Sequence, residues 1–180
     1  KLKAEKIITS NLKKNNINYA IHRYFNVCGA SPSGKIGLIT KSDHLFKNLA
    51  MEMIKKQPKI KIYGNDYNTP DKTTIRDYIH VSDLAEVHIK VLNKIDKINK
   101  SSILNCGYHK GISVLEAVNE FKKHNKKKFE ISYLDRRPGD MEMIVANNKK
   151  LRKFINWTPK YDNLHTIVKT CIKWELKLNQ

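Results

Sequence analysis

The sequence predicts an α/β fold. Segments that alternate apolar and polar residues take turns with segments of helical periodicity along all 180 residues, so strands and helices are interleaved rather than grouped. Apolar residues supply 40% of the chain, enough for a core in one ordinary domain or two small ones. Uninterrupted apolar runs are only a few residues long, far short of the ~20 needed to cross a bilayer. No membrane association is expected, and the first residues show no apolar signal segment. Cys28, Cys106 and Cys171 are odd in number and widely spaced, which points to a reducing, cytoplasmic setting and away from a disulfide scaffold or zinc ribbon.

Residues 2–14 place Leu2, Ile7, Ile8 and Leu12 near one face of a helix. No capping residue precedes it, so the sequence is expected to be the later part of a longer chain. Asn15-Asn16 ends this helix, and Ile17, Tyr19, Ile21, Arg23 and Phe25 then alternate as a strand. Residues 29–37 (GASPSGKIG) form a loop by composition. Residues 43–56 turn Leu45, Leu49, Met53 and Ile54 inward as a helix that Pro58 stops. A strand over 60–63, a turn at Gly64-Asn65-Asp66 and an extended piece over 74–80 follow. Ser82 is expected to cap a helix reaching about Leu92. A strand over 103–106 leads to Gly107, and Ser113 with Glu116 spells a capping box for a helix to about Lys123. A strand over 129–134, the turn RRPGD and helices near 148–154 and 164–178 complete the chain, with Trp157 and Trp174 in the core.

The formal net charge is +18, but thirty of the basic residues are Lys and only five are Arg. A reader of nucleic acid is expected to use more Arg for its bidentate fork. The excess of Lys, Ile and Asn runs through every segment, which reads as codon bias and a solvated surface; no specific nucleic acid is expected as a partner. The seven glycines form neither GxGxxG nor a P-loop. The seven histidines show no HxxxH or HExxH spacing, so no metal is expected.

Three segments could carry chemistry. Arg76 falls in an extended piece, where a charge needs a partner; an internal bridge to Asp66, Asp77 or Asp83 and a grip on a phosphate are both open. Arg136-Arg137-Pro138-Gly139-Asp140 can present two guanidinium groups from a stiff turn, or be a surface turn with a local ion pair. Arg23-Tyr24-Phe25-Asn26 ends a strand, where ligands of α/β folds sit, although Asn26 also suits an ordinary turn.

The blocks RYFNVCGASPSGKIG, KIYGNDYNTPDKTTIRDYIHVSDLAEVH, ILNCGYHKGISVLEAV, RRPGD and LRKFINWTPKY together resemble the C-terminal half of the UDP-galactose 4-epimerases, extended short-chain dehydrogenase/reductases. The resemblance covers essentially the whole chain, in the family's order. It implies the last elements of an NAD-binding, Rossmann-type doubly wound sheet plus a smaller mixed α/β domain for the substrate. Residues 1–28 would close the Rossmann domain, residues 29–180 would be mainly substrate domain, and 82–106 would return to the Rossmann sheet. The N-terminal cofactor half would lie outside this sequence and act as its partner, with a homodimer in the full enzyme.

The resemblance also implies roles. Lys1 matches the catalytic lysine, which also meets the cofactor NAD, its tyrosine partner lying upstream. Tyr24 and Phe25 match positions near the nicotinamide. Tyr24 and Asn26 approach the sugar nucleotide, and His44 and Leu45 meet the diphosphate. Lys61, Ile62 and Tyr63 lie beside the uracil, Tyr63 stacking on it. Arg76 and Arg137 grip the diphosphate, Asp140 holds the ribose, and Ile144 limits the sugar's 2-substituent. The implied reaction interconverts UDP-glucose and UDP-galactose by hydride transfer at sugar C4 through a 4-keto intermediate. Lys72, Thr74 and Tyr108-His109 depart from residues usual in the family, glycines among them, and would strain a turn wherever φ is positive. An inactive remnant of such an enzyme, or a basic nucleic-acid-binding protein, are the rival readings.

Overall fold

The computed structural model describes residues 1–40, 44–125 and 127–180, with only the backbone of Asp96. The first helix, α1 (Leu2–Lys14), lies where its apolar stripe predicts, and the Asn15 N–H closes it on the Asn11 carbonyl. The strand that follows is shorter than the alternation suggests: β1 is Ala20–Tyr24. β2 (Asn26–Cys28) follows after Phe25 alone. α2 (Leu45–Ile54) turns Phe46, Leu49, Ala50 and Met53 inward, while Asp43, the expected first residue of this helix, lies outside the described residues. β3 (Lys59–Tyr63) buries Ile60 and Ile62 and exposes Lys59 and Lys61, the two-residue period of a half-buried strand.

The extended piece over 74–80 divides into β4 (Ile75–Arg76) and β5 (Tyr78–His80). The next helix corrects the expectation. α3 is Val81–Ile98 and its cap is His80, not Ser82; His80 Nδ1 accepts from the Ser82 N–H at 3.1 Å. An imidazole nitrogen replaces the usual hydroxyl or carboxylate as acceptor for an orphan N–H. The helix runs six residues past Leu92 because its inner stripe continues through Val91 and Ile95, 0% and 5% exposed. β6 (Ser102–Cys106), β7 (Ile112–Ser113) and α4 (Val114–Lys123) follow, α4 with the expected capping box. β8 (Glu130–Leu134), β9 (Met143–Ile144), α5 (Lys149–Ile155) and α6 (Leu164–Leu178) complete the order.

β1 pairs in parallel with β6, β2 with β5, and β3 with β8. β4 lies between antiparallel β7 and parallel β9. Parallel pairs need crossovers, and the helices provide them. α3 packs on β1 and β2, α5 on β6, and α2 on β3. α2, α4 and α6 pack together, and Phe46 of α2 joins them to the strands, its ring 5.6 Å from Phe121 and 4.6 Å from Tyr78. A buried Lys47–Glu175 ion pair also ties α2 to α6. Trp157 and Trp174 are both in the core, and the three cysteines are free and buried. Among the described residues no helix is long and apolar enough to cross a membrane.

Candidate functional site

A cleft of about 870 Å³ opens beyond the carboxyl end of β1, where parallel strands collect ligands, and runs along β2 and β3. Tyr24, Phe25 and Asn26 line it from β1 and β2, and His44 and Leu45 from the start of α2. Lys61, Ile62 and Tyr63 line it from β3, Arg76 from β4, Arg137 and Asp140 from the RRPGD turn, and Lys1 from the chain's first residue. Twelve of the thirteen expected site residues therefore share one cavity. Ile144 does not line it; it sits on β9, paired with Arg76.

The RRPGD turn aims its side chains by backbone geometry. The Asp140 N–H donates to the Arg137 carbonyl at 3.2 Å, and Gly139 takes φ +79°. Pro at the first central position and Gly at the second are what a type II turn requires. Arg137 then lies over the Tyr63 ring, 4.0 Å from its centroid, and Arg136 over Tyr67 at 4.1 Å. Arg136 also bonds Asp66 through Nε at 2.7 Å, so it braces the turn and leaves Arg137 at the cleft.

Arg76 has none of the partners that the residues alone suggested. Its Nη2 donates to Asp140 Oδ1 at 3.2 Å and its Nη1 to the Ile75 carbonyl at 2.9 Å. A guanidinium has five N–H donors, so donors remain for a ligand after these bonds. The side chain is only 11% exposed, which desolvates it and strengthens whatever anion it meets. The start of α2 adds the positive end of a helix to the same wall, and its first turn holds no acid.

Asp77 and Asp83 are spent on structure. Asp77 Oδ1 accepts from the Tyr108 N–H at 2.8 Å, and Oδ2 from the N–H groups of His109 and Ala146 at 2.9 and 3.1 Å. Gly107 is obligatory beside it, since a Cβ there would stand 2.7 Å from Asp77 Oδ2. Asp83 accepts from the Tyr108 hydroxyl at 2.5 Å and from the N–H groups of Lys160 and Tyr161 at 3.0 and 2.8 Å. Tyr108, which departs from the family pattern, is thus a working part: its hydroxyl also accepts from the His80 N–H at 3.0 Å.

At the mouth of the cleft, Tyr24 bonds His88 Nε2 at 2.5 Å. His88 Nδ1 lies 2.8 Å from the Leu84 carbonyl, so Nδ1 carries the proton and Nε2 accepts from the Tyr24 hydroxyl. Burial raises the Tyr24 phenol pKa, with the Cys106 charge adding to it. His22 stands edge-on to His88 at 4.3 Å, and burial, then the charge of His88, push its pKa down to about 4.

Sequence reasoning missed Tyr78, which lines the cleft and pairs with Asn26 on the neighbouring strand. The signal was there: Arg76 and Tyr78 are two apart in an extended segment, so they share a face while Asp77 points the other way. Burial drives the Tyr78 phenol pKa far up, which makes it a neutral hydrogen-bonding wall.

Residues 1–107 match the family model described as the NAD dependent epimerase/dehydratase family, more than half of the chain. The chain belongs to that family. It is 39% identical over 181 aligned residues to a UDP-glucose 4-epimerase of Azospirillum brasilense, covering 100% of this chain and 52% of that protein. It superposes with a TM-score of 0.93 on UDP-glucose-4-epimerase from Stenotrophomonas maltophila with bound NAD and formylated UDP-arabinopyranose, at 28% identity, covering 99% of this chain and 54% of that one. The enzyme from Bifidobacterium longum in complex with NAD+ and UDP gives 0.89 at 31% identity, covering 98% and 53%. This family member thus spans about half the length of the curated relatives it matches.

Proposed function

We propose that this chain carries the UDP-sugar-binding half of a UDP-glucose 4-epimerase, an isomerase that interconverts UDP-glucose and UDP-galactose. The convergence of Tyr63, Arg76, Arg137 and Asp140 on one cleft is the observation that supports this most. Arg76 and Arg137 grip the diphosphate by charge-assisted bonds. Tyr63 stacks on the uracil, beside Lys61 and Ile62. Asp140 holds the ribose, and Asn26, with His44 and Leu45, holds the rest of the nucleotide. The sugar has to present both faces of C4 in turn, so binding energy belongs at the UDP end and the hexose is held loosely.

The pairing of β1 with β6 supports assigning residues 1–28 and 82–106 to the edge of a dinucleotide-binding sheet, with most of 29–180 as substrate domain. For NAD, this chain's residues fit one end only. Lys1, Tyr24 and Phe25 share the cleft at the end of β1, whereas the seven glycines contain no GxGxxG cradle. NAD when bound supplies a hydride acceptor for sugar C4. Lys1 supplies a positive charge beside the reacting centre, which eases deprotonation of a tyrosine base.

Calorimetric titration of UDP tests the reading. Arg76→Ala and Arg137→Ala are each expected to weaken UDP binding by roughly 1.5–3 kcal/mol, and Lys1→Ala to leave it unchanged. Equal UDP affinity in all three and the wild type removes the diphosphate assignment. Binding to nucleic acid with a steep salt dependence and no response to UDP favours the basic-protein reading instead.

A further inference from the structure

The end of α4 and the start of α6 bring together three side chains that do not line the cleft. Glu120 and His124 are four apart at the end of α4, so they lie on one face. The first turn of α6 covers that face and brings in His165, 45 residues from Glu120 along the chain. Glu120 is only 8% exposed, and a buried carboxylate demands partners. His165 Nδ1 meets its Oε1 at 3.0 Å and Lys123 Nζ its Oε2 at 2.8 Å. His124 Nε2 stands 3.6 Å from the same Oε1, beyond hydrogen-bond reach. It is buried with no hydrogen-bond partner, and nearly all buried polar atoms have one. The two imidazole rings are 4.6 Å apart. One ligand atom from each residue lies within 4.8 Å of the others.

We propose that Glu120, His124 and His165 bind a divalent transition-metal ion, Zn²⁺ foremost, which joins the end of α4 to the start of α6. Two imidazoles and one carboxylate suit a borderline ion at about 2.0–2.2 Å from each ligand. Ca²⁺ and Mg²⁺ prefer all-oxygen shells and serve as controls. The atoms are somewhat too far apart for such a shell as they stand. His165 closes the difference by rotating, since its side chain is 60% exposed. The ion gives the orphan His124 nitrogen its partner. Lys123 stays on Oε2 and orients the carboxylate from outside the shell. One coordination position is left for water.

The decisive experiment uses the purified protein stripped with a chelator, titrated with Co²⁺ as a visible probe and then with Zn²⁺. Expected are saturable binding of one ion per chain, a Co²⁺ spectrum without thiolate charge transfer, and displacement by Zn²⁺ but not Mg²⁺. Thermal unfolding is expected to move up with Zn²⁺, because the folded state alone presents the site. His165→Ala removes an exposed ligand while Lys123 still holds the Glu120 carboxylate, so the metal-free protein is expected to stay folded, and its own unfolding temperature is the baseline for the Zn²⁺ shift. The substitution is expected to cost at least about tenfold in affinity and to abolish the Zn²⁺ shift. The proposal is overturned by equal affinity in His165→Ala, by thiolate bands that place the ion on a cysteine, or by no saturable binding in the wild type.

Discussion

α1 and α2 are both amphipathic helices, and only one of them has its apolar stripe covered. α2 buries Phe46, Leu49, Ala50 and Met53 against α4, α6 and β3. α1 buries nothing, and its Leu2 and Ile7 are 61% and 62% exposed. What attaches α1 is polar: Glu5 takes Arg23 of β1 through both carboxylate oxygens, at 2.5 and 3.0 Å. α3 shows the same division across its own width, with Val87 and Val91 fully buried and Ile89 and Leu92 each 63% exposed. α2 and its neighbours therefore form a closed side, which supports the cleft, while α1 and the outer face of α3 each leave an open apolar face. An apolar stripe says that a helix needs a partner, not that the partner is in the same 180 residues. In the function proposed above, the dinucleotide-binding half covers these open faces.

The largest expected effect tests this division directly. Leu49→Ala on the closed side is expected to cost about 2–5 kcal/mol of folding stability, as buried leucines do. Ile7→Ala on the open face of α1 is expected to stay within about 0.5 kcal/mol. Urea unfolding of the two variants reads both, and comparable losses would break the distinction. The next effect concerns His22, the titratable group with a strongly lowered pKa beside His88 of α3. Its pKa of about 4 lies below the ordinary 6.5, so the fold favours the neutral ring and the unfolded chain takes up the proton first. Stability is full above pH 6.5 and falls as pH drops from there through about 4. His22→Gln is expected to flatten the unfolding midpoint across that window. An unchanged slope would mean that the acid sensitivity resides elsewhere.

The closed side was also the more legible one. α4 was readable from the Ser113–Glu116 box and α6 from its periodicity, because caps and stripes are local signals. β7 and β9 were not, since two residues carry no pattern and these strands exist only by pairing with β4. The His80 cap was hidden because His rarely caps, and Ser82 two places on offered the commoner residue. The cleft was legible through motif blocks that hold Tyr63, Arg76 and Arg137 at recognisable spacing. The Arg76–Asp140 contact was not, as 64 residues separate its ends. Only the fold carries such pairings, and the same holds for Glu120 with His165.

The smallest expected effect compares two turns within the closed side. Lys72 and His109 stand where the resemblance leads glycine to be expected, and both take φ +63°; Thr74 is not among the residues with positive φ. A side chain in that region costs roughly 1 kcal/mol or more, so glycine at either place should relieve strain. The contacts differ, however. His109 Nδ1 lies 2.6 Å from the Ala146 carbonyl, and its N–H is one of the three donors on Asp77. Its ring therefore offsets part of the strain by tying the β6–β7 turn to the segment after β9. The backbone N–H of Lys72 bonds the Thr69 carbonyl at 3.1 Å, and a glycine keeps that bond. Lys72→Gly is thus expected to stabilise the fold by up to about 1 kcal/mol, after subtracting the greater freedom glycine gives the unfolded chain. His109→Gly is expected to be neutral or mildly destabilising. Equal gains at both sites would mean that the imidazole contributes nothing and that strain alone decides how well the cleft's support is built.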